Sequence, residues 1–104
     1  MKELTEPSIQ RFANGDSREC QVLIAKTQGL QAVGLDESVL LPSAAIISLH
    51  GNSLTSECMQ QMWSNFPSAW WVDLSNNSFA ALSYYLPVAL GSLNLRGNSI
   101  EEES

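Results

Sequence analysis

The chain has 104 residues, of which 44% are hydrophobic and 15% are charged, and it carries a net charge of −6. This length and composition predict one globular domain and exclude a chain that is disordered beyond its ends. No apolar run approaches the ~20 residues that a membrane span needs, and five Lys and Arg residues are too few and too scattered to neutralise nucleic acid. We therefore expect no membrane span and no direct nucleic-acid partner.

The first seven residues carry acids and a proline, where a secretory signal would have basic and then apolar residues. This start predicts an intracellular protein, cytoplasmic with a nuclear or ciliary location left open. Cys20 and Cys58 are then expected to be reduced thiols. His50 is the only histidine, so a zinc site has too few of its usual ligands, and no metal or other cofactor is predicted.

Residues 1–19 are predicted to form an N-terminal capping helix and its lead-in. Thr5 can serve as N-cap, and Leu4 and Ile9 fall at the two positions of a hydrophobic staple. The Asn-Gly pair at 14–15 is a typical C-terminal stop. Such an end piece would cover the apolar edge of the segment that follows.

Four segments then fit one pattern, L-x-x-L-x-L-x-x-N-x-L, which is the strand segment of a known class of repeat. The residues at position 9 stand 24, 25 and 21 residues apart. This recurrence predicts four equivalent strands that lie side by side. The segments are CQVLIAKTQGL (Cys20 to Leu30), AAIISLHGNSL (Ala44 to Leu54), AWWVDLSNNSF (Ala69 to Phe79) and LGSLNLRGNSI (Leu90 to Ile100).

Side chains alternate along a strand, so positions 4 and 6 of each segment are predicted to point into the core and positions 3, 5 and 7 outward. All eight inward residues are apolar, as burial requires. The outward residues at positions 5 and 7 are mostly polar. The inward pairs are Leu23 and Ala25, Ile47 and Leu49, Val72 and Leu74, and Leu93 and Leu95.

Asparagine stands at position 9 of the last three segments, as Asn52, Asn77 and Asn98. The backbone is expected to turn through the interior there, where unpaired N–H and C=O groups cost ~1–3 kcal/mol each. An amide side chain can pair with one group of each kind. The three asparagines are therefore predicted to have a structural role.

The connection from Thr55 to Phe66 is predicted to hold a helix, because its large apolar residues share one helical face. Thr55 or Ser56 could cap its start. The next connection, Ala80 to Leu86, has room for little more than a helical turn, with Leu86 expected against the core. The predicted inner face of the helix comprises Met59, Met62, Trp63 and Phe66.

Residues 20–100 thus resemble the leucine-rich repeat superfamily, least closely in the first segment, where Gln28 replaces asparagine. The resemblance implies an α/β solenoid with about four parallel strands on a concave face and helical or irregular convex segments. The capped start and short repeats are similar to intracellular adaptors among ciliary, spliceosomal and acidic nuclear proteins. Such proteins act mainly by presenting the concave sheet to a protein partner, so the resemblance implies a non-catalytic interaction module or scaffold.

The outward residues locate a candidate surface. Ile46 and Trp71 share position 3 on neighbouring strands, where solvent favours polar groups, and exposed tryptophan is enriched at binding hot spots. Trp71 is expected to be the exposed anchor, whereas Trp70 either joins it or packs under the preceding loop. The alternative is that an insertion covers both. Beside them lies a polar column at position 7, which could bind an acidic or mixed-charge segment or could be a solvated face; it comprises Lys26, His50, Ser75 and Arg96. The candidate partner-binding residues are Val22, Ile24, Ile46, His50, Trp70, Trp71, Asp73, Asn94 and Arg96.

Two other functions compete with this interpretation. Residues 101–104 form an acidic tail or a truncated continuation, so the edge of the last segment is expected to stay open. The chain could then be a structural subunit whose open edge is covered by a neighbour in a large assembly. A hydrolase built on His50, Asp73 and a serine is less favoured, because no glycine-rich elbow and no oxyanion donors accompany them.

Overall fold

We describe a computed structural model of the chain, which covers residues 3–5, 21–33, 41–56, 59–80, 86 and 88–100. This part of the chain contains six strands and one helix. The strands form a four-stranded parallel sheet in the order β2-β4-β5-β6 and a two-stranded parallel sheet of β1 and β3. The elements are β1 (Glu3–Leu4), β2 (Val22–Ile24), β3 (Ala32–Val33), β4 (Ile46–Ser48), α1 (Met59–Asn65), β5 (Trp71–Asp73) and β6 (Ser92–Asn94).

The four-stranded sheet places equivalent positions of the four segments side by side. Val22, Ile46, Trp71 and Ser92 are partners in one row, and the residues that follow them form the next two rows. The prediction of parallel strands is therefore confirmed, in the register that the pattern requires. The second sheet, β1 with β3, was not predicted.

The hydrogen-bond ladder continues past the ends of the short strands. Thr27 N donates to His50 O at 2.9 Å, Gly51 N to Ser75 O at 3.0 Å and Asn76 N to Arg96 O at 2.8 Å. Each bond joins position 8 of one segment to position 7 of the next. These bonds hold the backbones at His50, Ser75 and Arg96 on neighbouring segments, with a spacing of about 4.8 Å from one segment to the next.

The core lies on one face of the four-stranded sheet. The inward side chains of the first three segments are buried, and Leu4 and Val33 of the two-stranded sheet belong to the same cluster. In the last segment the apolar side chains are only partly buried by the described residues. These partly buried residues are Leu90, Leu93, Leu95 and Ile100.

Helix α1 occupies the later part of the predicted helical connection. Met62, Trp63 and Phe66 of its predicted inner face are buried, as expected from their spacing. The Ser56 hydroxyl accepts a hydrogen bond from Ala80 N at 2.8 Å, which ties the start of this connection to the start of the next connection. The side chain of Met59 and residues 57–58, where the helix would be capped, lie outside the described set.

Proline-containing turns lead into two of the strands. Ala44 N donates to Leu41 O at 3.2 Å, and Ala69 N donates to Phe66 O at 3.3 Å, each across a Pro-Ser pair. Leu41 and Phe66 are fully buried, but Leu86 is 40% exposed, so its expected place against the core is wrong. Leu41 is also held by its N–H, which donates to Asn65 O in the connection between the second and third segments. The connection that would stack on Leu86 in the same way would come after residue 100, outside the described residues.

Two predicted features fall largely outside the described residues. The N-terminal capping helix and its lead-in were predicted within residues 1–19, of which 1–2 and 6–19 are not described, and the acidic tail begins at residue 101. Of the first 19 residues, only Glu3, Leu4 and Thr5 are described, and the first two form β1. Within the described ranges, no helix has the length and apolar character needed to cross a bilayer.

Candidate functional site

The asparagines at position 9 hold neighbouring segments together. The Asn52 carboxamide accepts from Gln28 N and Leu30 N, both at 3.0 Å, and donates to Ala25 O at 2.9 Å in the preceding segment. It also donates to Leu49 O at 2.8 Å in its own segment. Every one of these partners is a backbone group, so the amide takes the place of main-chain hydrogen bonds at the turn.

Asn77 and Asn98 repeat this arrangement one and two segments later. Asn77 accepts from Leu54 N at 3.0 Å and donates to Leu49 O at 2.9 Å and to Leu74 O at 3.1 Å. Asn98 accepts from Phe79 N at 3.0 Å and donates to Leu74 O at 2.9 Å. The Asn77 amide is buried and the Asn98 amide is partly buried, and both fix the turns from which the outward side chains project.

Position 8, just before each of these residues, adopts a left-handed backbone conformation in all four segments. The φ angles are 51° at Thr27, 73° at Gly51, 55° at Asn76 and 74° at Gly97. Glycine adopts this conformation freely, asparagine tolerates it, and a β-branched residue does so only with strain. The turn carries the chain from the outward column at position 7 to the interior amide at position 9.

The open face is the outward surface of the four-stranded sheet, formed by positions 3, 5 and 7 of the four segments. Val22, Ile46 and Trp71 form its apolar row, and all three are half-buried. In the next row Ile24 is 46% exposed and is followed by Ser48, Asp73 and Asn94. The candidate residues at positions 3 and 5 are thus brought together on one surface.

Trp71 was expected to be the more exposed of the two neighbouring tryptophans, but Trp70 is the more exposed one. Trp70 is 49% exposed, whereas Trp71 is half-buried. Trp70 lies beside Ala45 and Gly91, and its Cε3 atom would be 3.8 Å from a Cβ at Gly91. Residues this small cannot cover the indole. Trp71 instead has Ile46, a larger residue than Ala45 or Gly91, as its register partner.

A chain of polar side chains crosses the open face beside the apolar row. His50 Nδ1 lies 2.6 Å from Ser75 Oγ, which donates to Asp73 Oδ1 at 2.5 Å. Ser75 N also donates to Asp73 Oδ1, at 3.0 Å. Because the single hydroxyl proton goes to the carboxylate, Ser75 Oγ accepts from His50 Nδ1–H. Nε2 is then the imidazole nitrogen left for a ligand, and it has no partner among the described residues.

A depression of about 420 Å³ opens at the end of this chain. It extends across three neighbouring segments, from His50 on the second to Arg96 on the fourth. Asn94 Oδ1 accepts from Arg96 N at 3.1 Å, which leaves the Asn94 NH₂ group for other partners. The depression is lined by His50, Ser75, Asn76, Asn94, Arg96 and Gly97.

Three of these lining residues, His50, Asn94 and Arg96, were predicted as partner-binding, but Asn76 and Gly97 were not. Their sequence signal is turn chemistry, because Asn and Gly are the residues that tolerate a positive φ. Lys26, also at position 7, is exposed at the other end of the column. In the described part of the chain, no group of three His, Cys, Asp or Glu side chains is placed to hold a metal ion.

Comparisons with family models, with curated proteins and with solved structures give no significant match to this chain.

Proposed function

We propose that the chain is a leucine-rich repeat module that binds a partner protein through the open face and catalyses no reaction. The recurrence of identical contacts supports the repeat. At position 10, Ser53 N, Ser78 N and Ser99 N donate to the position-11 carbonyl of the preceding segment, at 2.7, 2.8 and 3.0 Å. Together with the three asparagines, these bonds recur with the spacing of the sequence pattern, as expected for stacked equivalent units.

The observation that carries the binding proposal is the apolar surface on the open face. Ile24 exposes 46% of its surface, and Ile46 and Trp71 lie half-buried in the adjacent row. The outward face of an open sheet favours polar residues, so a cluster of this kind marks an interaction site. Trp71, at the end of the apolar row beside Ser92, is of a residue type enriched at hot spots. A cytoplasmic, nuclear or ciliary adaptor role belongs to the same proposal.

The order of the polar side chains supports a non-catalytic role. In a hydrolytic triad the imidazole lies between the serine and the carboxylate and removes the serine proton. Here Ser75 lies between His50 and Asp73, and its proton is directed to Asp73. Ser75 is also buried, with its oxygen already bonded on both sides. Turnover of an ester or peptide substrate that His50→Ala abolishes would contradict this role.

The experiment is capture of partners from cell extract with the wild-type chain and with two matched variants. Ile24→Ser removes an exposed β-branched side chain from the open face, and Val88→Ser removes one that is 104% exposed and lies outside the sheet. Neither change opens a core cavity, so both variants are expected to fold. Proteins that the wild type and Val88→Ser capture but Ile24→Ser does not would support binding through the open face. Proteins that Ile24→Ser still retains in full contradict it.

A structural subunit of a large assembly is the second candidate function. The observation that favours it is the last segment, where Leu93 and Leu95 are only partly covered by described residues and Leu86 and Val88 are exposed. A neighbouring subunit on this edge would bury them. In that case Val88→Ser would release the partner and Ile24→Ser would not. A purified chain that aggregates rather than remaining monomeric would favour the same function.

A further inference from the structure

The depression between His50 and Arg96 is the part of the open face with the most specific chemistry. Its two ends lie on segments two strand positions apart, which is about 10 Å across the sheet. That width accommodates one side chain of a bound peptide together with the peptide group beside it. Two hydrogen bonds fix its wall, because Ser75 orients the imidazole and Arg96 N orients the Asn94 amide.

The donors at one end suit a carboxylate. The Arg96 guanidinium offers several N–H groups in a planar fork and is exposed, and it forms no ion pair with another described residue. The Asn94 NH₂ group is available beside it, because its carbonyl oxygen is the atom bonded to Arg96 N. A carboxylate between the two would receive charge-assisted hydrogen bonds from both.

The group at the other end is an acceptor. In the tautomer that donates Nδ1–H to Ser75, the Nε2 atom of His50 carries a lone pair. A backbone N–H of an extended peptide can donate to this nitrogen. The depression therefore matches a carboxylate with a peptide N–H nearby.

Charge also selects the ligand. The chain has a net charge of −6, yet in the described residues the position-7 column carries both cations, Lys26 and Arg96. Asp73 is the carboxylate nearest to Arg96 in the sheet register, and its negative charge would oppose a doubly charged phosphate more than a singly charged carboxylate. A single arginine is also fewer than phosphate sites usually employ.

We propose that this depression is the subsite for an Asp or Glu side chain of the partner, bound by Arg96 and Asn94 with its peptide N–H on His50 Nε2. This inference rests on the proposed function and names the chemistry of the partner segment. The apolar row of Val22, Ile46 and Trp71 then contacts the neighbouring residues of the same segment. The partner sequence is accordingly an acidic residue close to apolar ones.

The direct test is an NMR titration of the whole chain with three capped tripeptides, acetyl-Gly-Glu-Gly-amide and its Gln and phosphoserine counterparts. We expect the Glu peptide to shift the amide signals of Asn94 and Gly97, and the Gln peptide to bind at least about tenfold more weakly. Arg96→Gln should remove the Glu preference, whereas the matched change Lys26→Gln, outside the depression, should preserve it. Equal binding of Glu and Gln peptides, or tighter binding of phosphoserine, would overturn the assignment.

A selection from a random peptide library separates this inference from the proposed function. Wild-type protein should enrich peptides that contain Asp or Glu, and Arg96→Gln should lose that enrichment. Peptides that compete for the open face but lack an acidic residue would overturn the subsite and leave the proposed function standing. Absence of any peptide that binds the open face would count against both.

Discussion

Replacing Asn77 by alanine tests the structural role of the interior amides. The change leaves Leu54 N without its acceptor and removes one of two carboxamide donors from each of the Leu49 and Leu74 carbonyls, which keep Asn52 and Asn98 respectively. A buried N–H that loses its partner costs about 1–3 kcal/mol, and carbonyls with a second lone pair cost less. We expect the free energy of unfolding to fall by about 3 kcal/mol. This is a large share of the roughly 5–15 kcal/mol that stabilises a typical domain.

The measurement is urea denaturation followed by tryptophan fluorescence, for which the chain has three tryptophans. Asn76→Gly is the matched control, because Asn76 is the adjacent asparagine but is exposed and has a positive φ of 55°. It should change stability by no more than about 0.5 kcal/mol. A loss below about 1 kcal/mol for Asn77→Ala, or an equal loss for both variants, would refute the assigned role.

The remaining predictions concern the open face and the turns, and each is checked by the same denaturation experiment. Ser48→Ala should keep or raise stability by up to about 1 kcal/mol, because the buried Ser48 hydroxyl has no hydrogen-bond partner among the described residues; a loss beyond about 1 kcal/mol would contradict this. Thr27→Gly should stabilise by about 0.5 kcal/mol, since strain at φ 51° outweighs the entropy of glycine, and destabilisation would argue against strain. Gly97→Ala should destabilise by about 1–2 kcal/mol, because φ is +74° and the new Cβ would collide with Asn76 Oδ1. Adding Asn76→Gly should recover part of that loss, whereas strictly additive effects would exclude the collision.

The strand register could be predicted from the sequence because one pattern recurs with fixed inward and outward positions. Once Ile47 and Val72 must both be buried, a slip of one residue would turn them to solvent, so a single register remains. The asparagine role followed from the need to pair buried backbone groups. The pairing of β1 with β3 could not be foreseen, since strands of two residues have no periodicity.

Exposure and side-chain order depend on neighbours that lie far apart in the sequence. Whether Trp70 or Trp71 is covered depends on the small residues Ala45 and Gly91 beside one and on Ile46 beside the other. The polar column was foreseen as a set of residues. Its order, with Ser75 between the imidazole and the carboxylate, depends on side-chain conformations that no local pattern specifies.

The most direct test of the proposed function is the affinity of the captured partner for Trp71→Ala, measured by calorimetry beside the wild type and Val88→Ser. If the open face binds the partner, Trp71→Ala should lower the affinity by about 2 kcal/mol, roughly thirtyfold, while the variant remains folded. Val88→Ser should bind like the wild type. Unchanged affinity together with a lowered Tm for Trp71→Ala would make this residue part of the core and contradict binding at the open face.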